Sequence, residues 1–244
     1  MLIHFQDLIV YTVLLAGIVF SIHRNKLTVP AAVVGGVVGL FIYKGAGFTG
    51  LAMLILFFLL GSFATNWLIT KKEKLGIAEN NGGRRTIGQV LANGGSAAIL
   101  SAIACYKPLL TPLLQLMIAG SLSAATADTL SSELGSVYGR KFYDILSFKK
   151  SKPGPDGVVS LEGTLFGIAG SALIALVYSI GYGLSYNTLI VIVAGTIGNL
   201  TDSVLGASLE RKHLIENNIV NFLNTCTGAL VCLLLYVFSH TVTK

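Results

Sequence analysis

Charged residues are scarce in this 244-residue chain. They make up 11% of it, whereas hydrophobic residues make up 53% and the mean hydropathy is +0.76. Because a soluble domain carries roughly 25% charged residues, this composition excludes a cytosolic globular protein, a disordered segment and a nucleic-acid-binding module. Cysteine is scarce too. Cys105, Cys226 and Cys232 lie in apolar stretches without metal-ligand spacing, and they predict no disulfide.

Long apolar runs take the place of the missing charge. A helix needs about 20 mainly apolar residues to cross the hydrocarbon core of a bilayer. We predict eight spans, at residues 8–22, 28–43, 51–69, 90–106, 109–127, 164–182, 188–205 and 219–239. The second is short and rich in glycine. The expected fold is therefore all-α, a polytopic membrane bundle of about eight helices that forms one domain over residues 1–244.

The few charges are distributed unevenly between the two sides of this bundle. Of the 17 basic residues, 14 fall in the loops after spans 1, 3, 5 and 7. Basic loops favour the cytoplasm, so both termini are expected outside, and the net charge of +6 needs no nucleic-acid partner. Ten of the 11 acidic residues, all but Asp7, lie on the same side as those bases. The tendency of basic loops to lie in the cytoplasm does not explain where acidic residues lie. This face is therefore predicted to hold a polar site.

Two carboxylates stand at the ends of predicted spans, where an ionisable group is costly unless it is paired, metal-bound or in a wet cavity. Asp128 follows span 5, and Asp202 lies in span 7. Function is the favoured interpretation of both, and a position just outside the lipid is the alternative. Glu133 lies five residues after Asp128, about 140° around a helix, so the two share an ion only if the helix breaks between them.

Other polar residues are predicted on the same side. The longest polar stretch, residues 135–163, contains Arg140, Lys152 and Glu162, and glycines and cations of this kind can surround a phosphate. Membrane orientation and lipid headgroup contact also explain its bases. Arg85 precedes span 4, Asn93 lies at the start of span 4, and Asn221 lies at the start of span 8. Carboxylates that suit Mg²⁺, together with cations, favour phosphoryl transfer, and the sequence contains no hydrolase, zinc-enzyme or GKS/T phosphate-loop motif.

Five stretches resemble the membrane family that contains the plant phytyl-phosphate kinases. They are RTIGQVLANGG (85–95), ADTLSSELG (127–135), PGPDGVVSLEG (153–163), GNLTDSVLGA (198–207) and NNIVNFLNT (217–225). They occur in the expected order over roughly the C-terminal two thirds of the chain. The layout from Asp128 to Gly163 resembles the CTP-dependent phytol and dolichol kinases more distantly.

The resemblance implies a kinase that phosphorylates an isoprenoid alcohol or monophosphate with CTP or another nucleoside triphosphate at the membrane surface. By motif, the residues that would hold Mg²⁺ and the nucleotide phosphates, and act in catalysis, are Asp128, Glu133 and Asp202. Those that would neutralise phosphate charge are Arg85, Arg140 and Lys152. Those that would orient the nucleotide or the acceptor phosphate are Asn93, Glu162 and Asn221.

The expected location is a prokaryotic cell membrane, with the site facing the cytoplasm and membrane lipid, nucleotide and isoprenoid as partners. Two other functions stay open. An ion-coupled transporter would use the two aspartates to coordinate an ion, but both are predicted near one surface instead of at the midplane. A non-catalytic membrane scaffold would tolerate their substitution.

Overall fold

The computed structural model describes residues 5–76 and 83–242. Within these ranges the chain forms eight α-helices: α1 (Phe5–His23), α2 (Val29–Asn66), α3 (Ile69–Leu75), α4 (Ile87–Tyr106), α5 (Thr111–Tyr138), α6 (Leu161–Tyr182), α7 (Tyr186–Leu205) and α8 (Asn217–Val242). All of them except α3 are long and apolar enough to cross a membrane. The prediction of a polytopic helix bundle is confirmed.

The second and third predicted spans form a single helix, α2, which reverses direction at Gly47. This glycine has φ 61° and ψ −157°, outside the helical region, in the middle of 38 residues. A Cβ added to Gly39 would lie 3.5 Å from the Leu54 side chain, whereas a straight helix would separate these residues by about 22 Å. The helix is therefore a hairpin with two halves, and it accounts for two of the eight predicted crossings.

Contacts at each end of the bundle define its two faces. The Lys44 ammonium lies 2.9 Å from an Asp7 carboxylate oxygen, and the Tyr182 hydroxyl donates to the Ala46 carbonyl at 2.6 Å. The hairpin tip therefore shares a face with the start of α1 and the end of α6. On the opposite face, the Arg85 amide donates to the Lys26 carbonyl at 2.9 Å. We call this second face, which holds the loops after α1, α5 and α7, the polar face.

Helix α5 is the centre of the bundle and contacts α2, α4, α6, α7 and α8. It begins with Pro112 in its first turn, where the missing amide hydrogen costs nothing. Ile118 and Leu122 are fully buried in the main core cluster. The helix ends at Tyr138, well beyond the predicted end at residue 127, so Asp128 lies inside the helix.

The polar stretch after α5 forms a small antiparallel sheet, which the all-α prediction did not include. Its strands are β1 (Phe142–Asp144), β2 (Lys150–Ser151) and β3 (Val158–Ser160), in the order β2-β1-β3. Tyr143 pairs with Lys150 on one side and with Val159 on the other. The Ser160 hydroxyl accepts from the Gly163 amide at 3.1 Å and caps α6. The sheet thus holds the loop between β2 and β3 against the polar face.

Candidate active site

The close approach of α5 and α7 brings Asp128 and Asp202 together. A Cβ added to Gly198 would lie 2.5 Å from the Cβ of Ala124, so only glycine allows the two backbones to pack at this distance. One helical turn further along α5 and α7 stand Asp128 and Asp202. Their carboxyl groups lie within hydrogen-bonding reach of each other. Two membrane helices that run in the same direction thus supply one carboxylate pair.

The carboxylate pair suits a divalent cation. The Oδ1 atom of Asp202 is buried, and no described residue donates a hydrogen bond to it. Two carboxylates at this range repel each other, and a cation or a shared proton between them removes the repulsion. Mg²⁺ is commonly held by one or two carboxylates together with substrate phosphates. The donor set at Asp128 and Asp202 therefore fits this ion.

Glu133 does not join the pair, and the predicted three-carboxylate site is not assembled. Helix α5 continues without a break from Asp128 past Glu133, so the two residues point in different directions. Glu133 instead forms an ion pair with Lys72, which is 1% exposed. Among the described residues, no three His, Cys, Asp or Glu side chains are grouped to hold a metal.

Lys72 was not predicted as a site residue. Its ammonium donates to the carbonyl oxygens of Ala64 at 2.7 Å and Thr65 at 3.3 Å, which lie at the end of α2. It thus adds a donor to carbonyl groups in the last turn of the helix, where the Ala64 carbonyl also accepts from the Trp67 amide at 3.2 Å, and it neutralises Glu133. The sequence gives no signal for this contact, because Lys72 is one of several lysines in a polar loop.

A polar cavity of about 500 Å³ surrounds the carboxylate pair and opens at the polar face. Six of the predicted site residues line it: Arg85, Asn93, Asp128, Glu133, Asp202 and Asn221. Asn93 donates to the Gln89 carbonyl at 3.0 Å, and its own Oδ1 is buried without a described partner. Asn221 donates to the Asn217 side chain at 3.2 Å. The structure therefore brings together the Arg85 cation just before α4 with amides and carboxylates from α4, α5, α7 and α8.

Three other predicted residues lie outside the lining of this cavity: Arg140, Lys152 and Glu162. The side chains of Arg140 and Lys152 are exposed, and the Arg140 amide donates to Glu162 at 3.4 Å. Their neighbours Phe142 and residues 153–160 do line the cavity, so the sheet lies against it while these three residues stay outside its lining. Residues that the prediction left out, among them Gln89, Asn199 and Glu210, line it instead. Gln89 and Asn199 belong to the motifs noted above, which was the available signal.

Residues 153–157, which we call the covering loop, form one wall of the polar cavity. Gly157 has φ +72°, and an added Cβ would lie 2.3 Å from the Cβ of Ala207 in the π-helical turn Gly206–Glu210 after α7. Arg211 fastens the loop, because its guanidinium donates to the Asp156 carbonyl and lies 2.6 Å from the Asp144 carboxylate. Together with donors from Ser147, Arg211 holds the pKa of Asp144 well below its usual range.

Comparison with known proteins places the chain in one family. The family described as integral membrane protein DUF92 matches residues 12–229. The chloroplastic protein VTE6 of Arabidopsis thaliana is 30% identical over 82% of this chain, which covers 62% of the length of VTE6. An uncharacterized membrane protein of Methanocaldococcus jannaschii is 32% identical over 94% of both chains.

Other relatives extend the range of organisms. An uncharacterized membrane protein of Synechocystis is 33% identical over 81% of this chain and 78% of its own length. Protein PGR of Arabidopsis thaliana is 29% identical over 88% of this chain and 84% of its own. No solved structure matches. The resemblance noted in the sequence motifs is thus confirmed at the level of the family.

Proposed function

Because the chain belongs to the DUF92 family of integral membrane proteins, we propose that it is a membrane-embedded kinase for isoprenoid compounds. It transfers the terminal phosphoryl group of CTP or another nucleoside triphosphate to an isoprenoid alcohol or monophosphate. The observation that supports this best is the Asp128–Asp202 pair in a polar cavity that also contains Arg85. Phosphoryl transfer depends mainly on positioning and charge neutralisation, which these residues supply.

In this proposal Asp128 and Asp202 hold Mg²⁺, which neutralises charge on the nucleotide phosphates when it is bound. Arg85, which lines the same cavity, neutralises the acceptor phosphate. Asn93 and Asn221 orient the phosphates by donating amide hydrogens. Glu133 has a structural part, since it is neutralised by Lys72.

The chemistry suits an acceptor that is already a monophosphate. An oxygen of the acceptor phosphate forms a bond to the terminal phosphorus of the nucleotide, and the bond from that phosphorus to its bridging oxygen breaks. The products are an isoprenoid diphosphate and a nucleoside diphosphate. A phosphate oxygen is already ionised at neutral pH and needs little help from a general base. In keeping with this, no described histidine lines the cavity.

The polar face is proposed to lie in the cytoplasm, where nucleoside triphosphates are available. The 14 basic residues predicted on this side support that orientation. An isoprenoid acceptor dissolved in the bilayer reaches the same site from the membrane, which is a reason for a kinase to be embedded in lipid.

A thermal-shift measurement tests whether the cavity binds nucleotide. The melting temperature of the purified protein is measured with CTP, ATP, UTP and GTP, each with and without Mg²⁺. We expect at least one nucleotide to raise it only when Mg²⁺ is present, because a ligand at 100 times its Kd stabilises by about 2.7 kcal/mol. The Asp202→Asn variant loses this shift. A protein stabilised by an ion alone, with no response to any nucleotide, contradicts the kinase and favours a transporter.

A further inference from the structure

A second cavity, the apolar groove, lies between α1, both halves of α2 and the start of α4. Its volume is about 440 Å³, within the roughly 300–1,000 Å³ of small-molecule sites. Aliphatic and aromatic side chains and glycines form nearly all of its lining, among them Leu14, Gly17, Leu54 and Phe58. Of the helices that build it, α1 and α2 lie in the part of the chain to which the family motifs assign no task.

The apolar groove continues into the polar cavity. Arg85, Gln89 and Asn93 line both spaces. Arg85 is 8% exposed, and its guanidinium lies 5.3 Å from the centre of the Phe57 ring, which belongs to the groove. A guanidinium at this junction favours an anionic group on one side, while the groove favours hydrocarbon on the other. The two spaces together fit a ligand with an anionic head and an apolar chain.

We infer that the apolar groove binds the hydrocarbon chain of the isoprenoid acceptor, with the acceptor phosphate beside Arg85. This inference rests on the proposed function and adds to it the position of the acceptor's hydrocarbon chain. An isoprenoid phosphate carries one chain directly on its phosphate, so its head enters the polar cavity while its chain stays in the groove. A phospholipid would place a glycerol unit and a second chain at the junction, where Arg85, Gln89 and Asn93 line both spaces.

The groove has a measurable depth along α1. Ser21, Gly17 and Val13 line it on successive turns, so it extends over about 12 Å from the polar face toward the opposite one. Nothing lies within 4 Å of a Cβ added to Gly17. A Cβ at this position therefore enters open space, and because Gly17 lines the groove, a larger side chain is expected to fill part of it. It shortens the space for the chain and leaves the junction at Arg85 unchanged.

The dependence of kcat/KM on the length of the acceptor tests this inference directly. The values of kcat/KM are measured for monophosphates with one to four isoprene units, using the Gly17→Phe variant and the matched Val19→Phe variant. Val19 lies on the same helix, is 59% exposed and is not part of the groove lining. We expect Gly17→Phe to lower the ratio of the longest to the shortest acceptor about tenfold, as when about two methylene groups lose a buried site. Val19→Phe leaves the ratio unchanged, and an equal effect on all lengths overturns the inference.

A crosslinking experiment tests binding in the apolar groove independently of kinase activity. A prenyl monophosphate with a diazirine at the end of its chain is photolysed on the protein, and the labelled peptides are mapped. We expect label in residues 13–21 or 51–59, reduced by excess unlabelled prenyl monophosphate. This result supports the groove even where the wild-type protein transfers no phosphate, in which case the proposed function alone fails. Label outside the groove, or a diazirine phosphatidylglycerol that labels it and resists displacement, overturns the inference.

Discussion

Asp128 of α5 and Asp202 of α7 face each other at the polar cavity, each four residues beyond a position where the two helices nearly touch. The contact positions are Ala124 and Gly198. A small residue on each helix thus sets the separation of two carboxylates one turn away. The same helix contact therefore stabilises the membrane bundle and sets the geometry of the proposed cation site.

Removal of either charge is expected to separate activity from stability. In Asp128→Asn and Asp202→Asn, kcat falls about 10²-fold or more, since a carboxylate that would hold the charge-neutralising Mg²⁺ is lost. The melting temperature stays the same or rises, because repulsion between the carboxylates disappears. Enzyme assays and thermal melts of both variants check this. Asp7→Asn, on the opposite face, is the matched control and retains wild-type activity; an equally active Asp202→Asn would show that the pair has no catalytic part.

The ion pair of Lys72 with Glu133 is expected to matter for folding. Glu133→Gln leaves a buried ammonium without its partner and lowers the free energy of unfolding by about 3 kcal/mol. The double variant Lys72→Met/Glu133→Gln recovers much of that loss, and chemical unfolding of the single and double variants measures the coupling. If Glu133 were a metal ligand instead, Glu133→Gln would raise the Mg²⁺ concentration needed for half-maximal activity and leave stability unchanged.

Packing of α5 on α7 is expected to depend on the glycine at position 198. Gly198→Ala forces the helices apart at Ala124, which costs about 1–3 kcal/mol of stability and misaligns the carboxylate pair, so activity falls as well. Ala124→Gly in the same molecule removes the clash with Ala124, whereas the Asn224 Oδ1, 2.7 Å from the added Cβ, still has to shift. Partial recovery of both melting temperature and activity in the double variant is the expected outcome. Loss in the single variant without any recovery would mean that this contact does not set the separation.

The covering loop is expected to loosen at low pH. Because the pKa of Asp144 is lower in the folded protein than in the unfolded chain, its contact with Arg211 stabilises the fold above about pH 4. The stabilisation is lost as the pH falls below that value. Hydrogen exchange of the Ile145 and Val158 amides, which donate to the loop carbonyls of Gly157 and Pro155, measures the change between pH 7 and pH 3 after correction for intrinsic rates. Arg211→Gln exchanges faster already at pH 7, and an identical pH profile in both proteins would contradict this role.

Hydropathy and charge were sufficient to predict the bundle and to single out Asp128 and Asp202, which line one cavity; their part in function stays a prediction. The reason is that a carboxylate within apolar sequence is costly wherever the helices lie. Hydropathy misplaced the end of α5, because residues 128–138 face the cavity and neighbouring helices and not lipid. Its separation of α2 into two spans was correct, because Gly47, with positive φ, makes the helix a hairpin with two halves.

Contacts between distant residues were outside the reach of the sequence. Lys72 and Glu133 are 61 positions apart, and only the fold of α2 and α3 against α5 brings them together. The exclusion of Arg140, Lys152 and Glu162 from the cavity has a similar origin. Their charges suit a phosphate, but the sheet that follows α5 sets their direction, and its short strands leave little pattern in a polar stretch.

The most direct test of the account is phosphoryl transfer by the purified protein. The wild-type protein in lipid is given Mg²⁺, a nucleoside triphosphate labelled on its terminal phosphate, and a panel of prenyl alcohols and monophosphates. The account predicts that label appears in a prenyl mono- or diphosphate and that Asp202→Asn, correctly folded, produces none. Wild-type protein that transfers no label with any nucleotide, yet drives ion flux in proteoliposomes without consuming nucleotide, would contradict it.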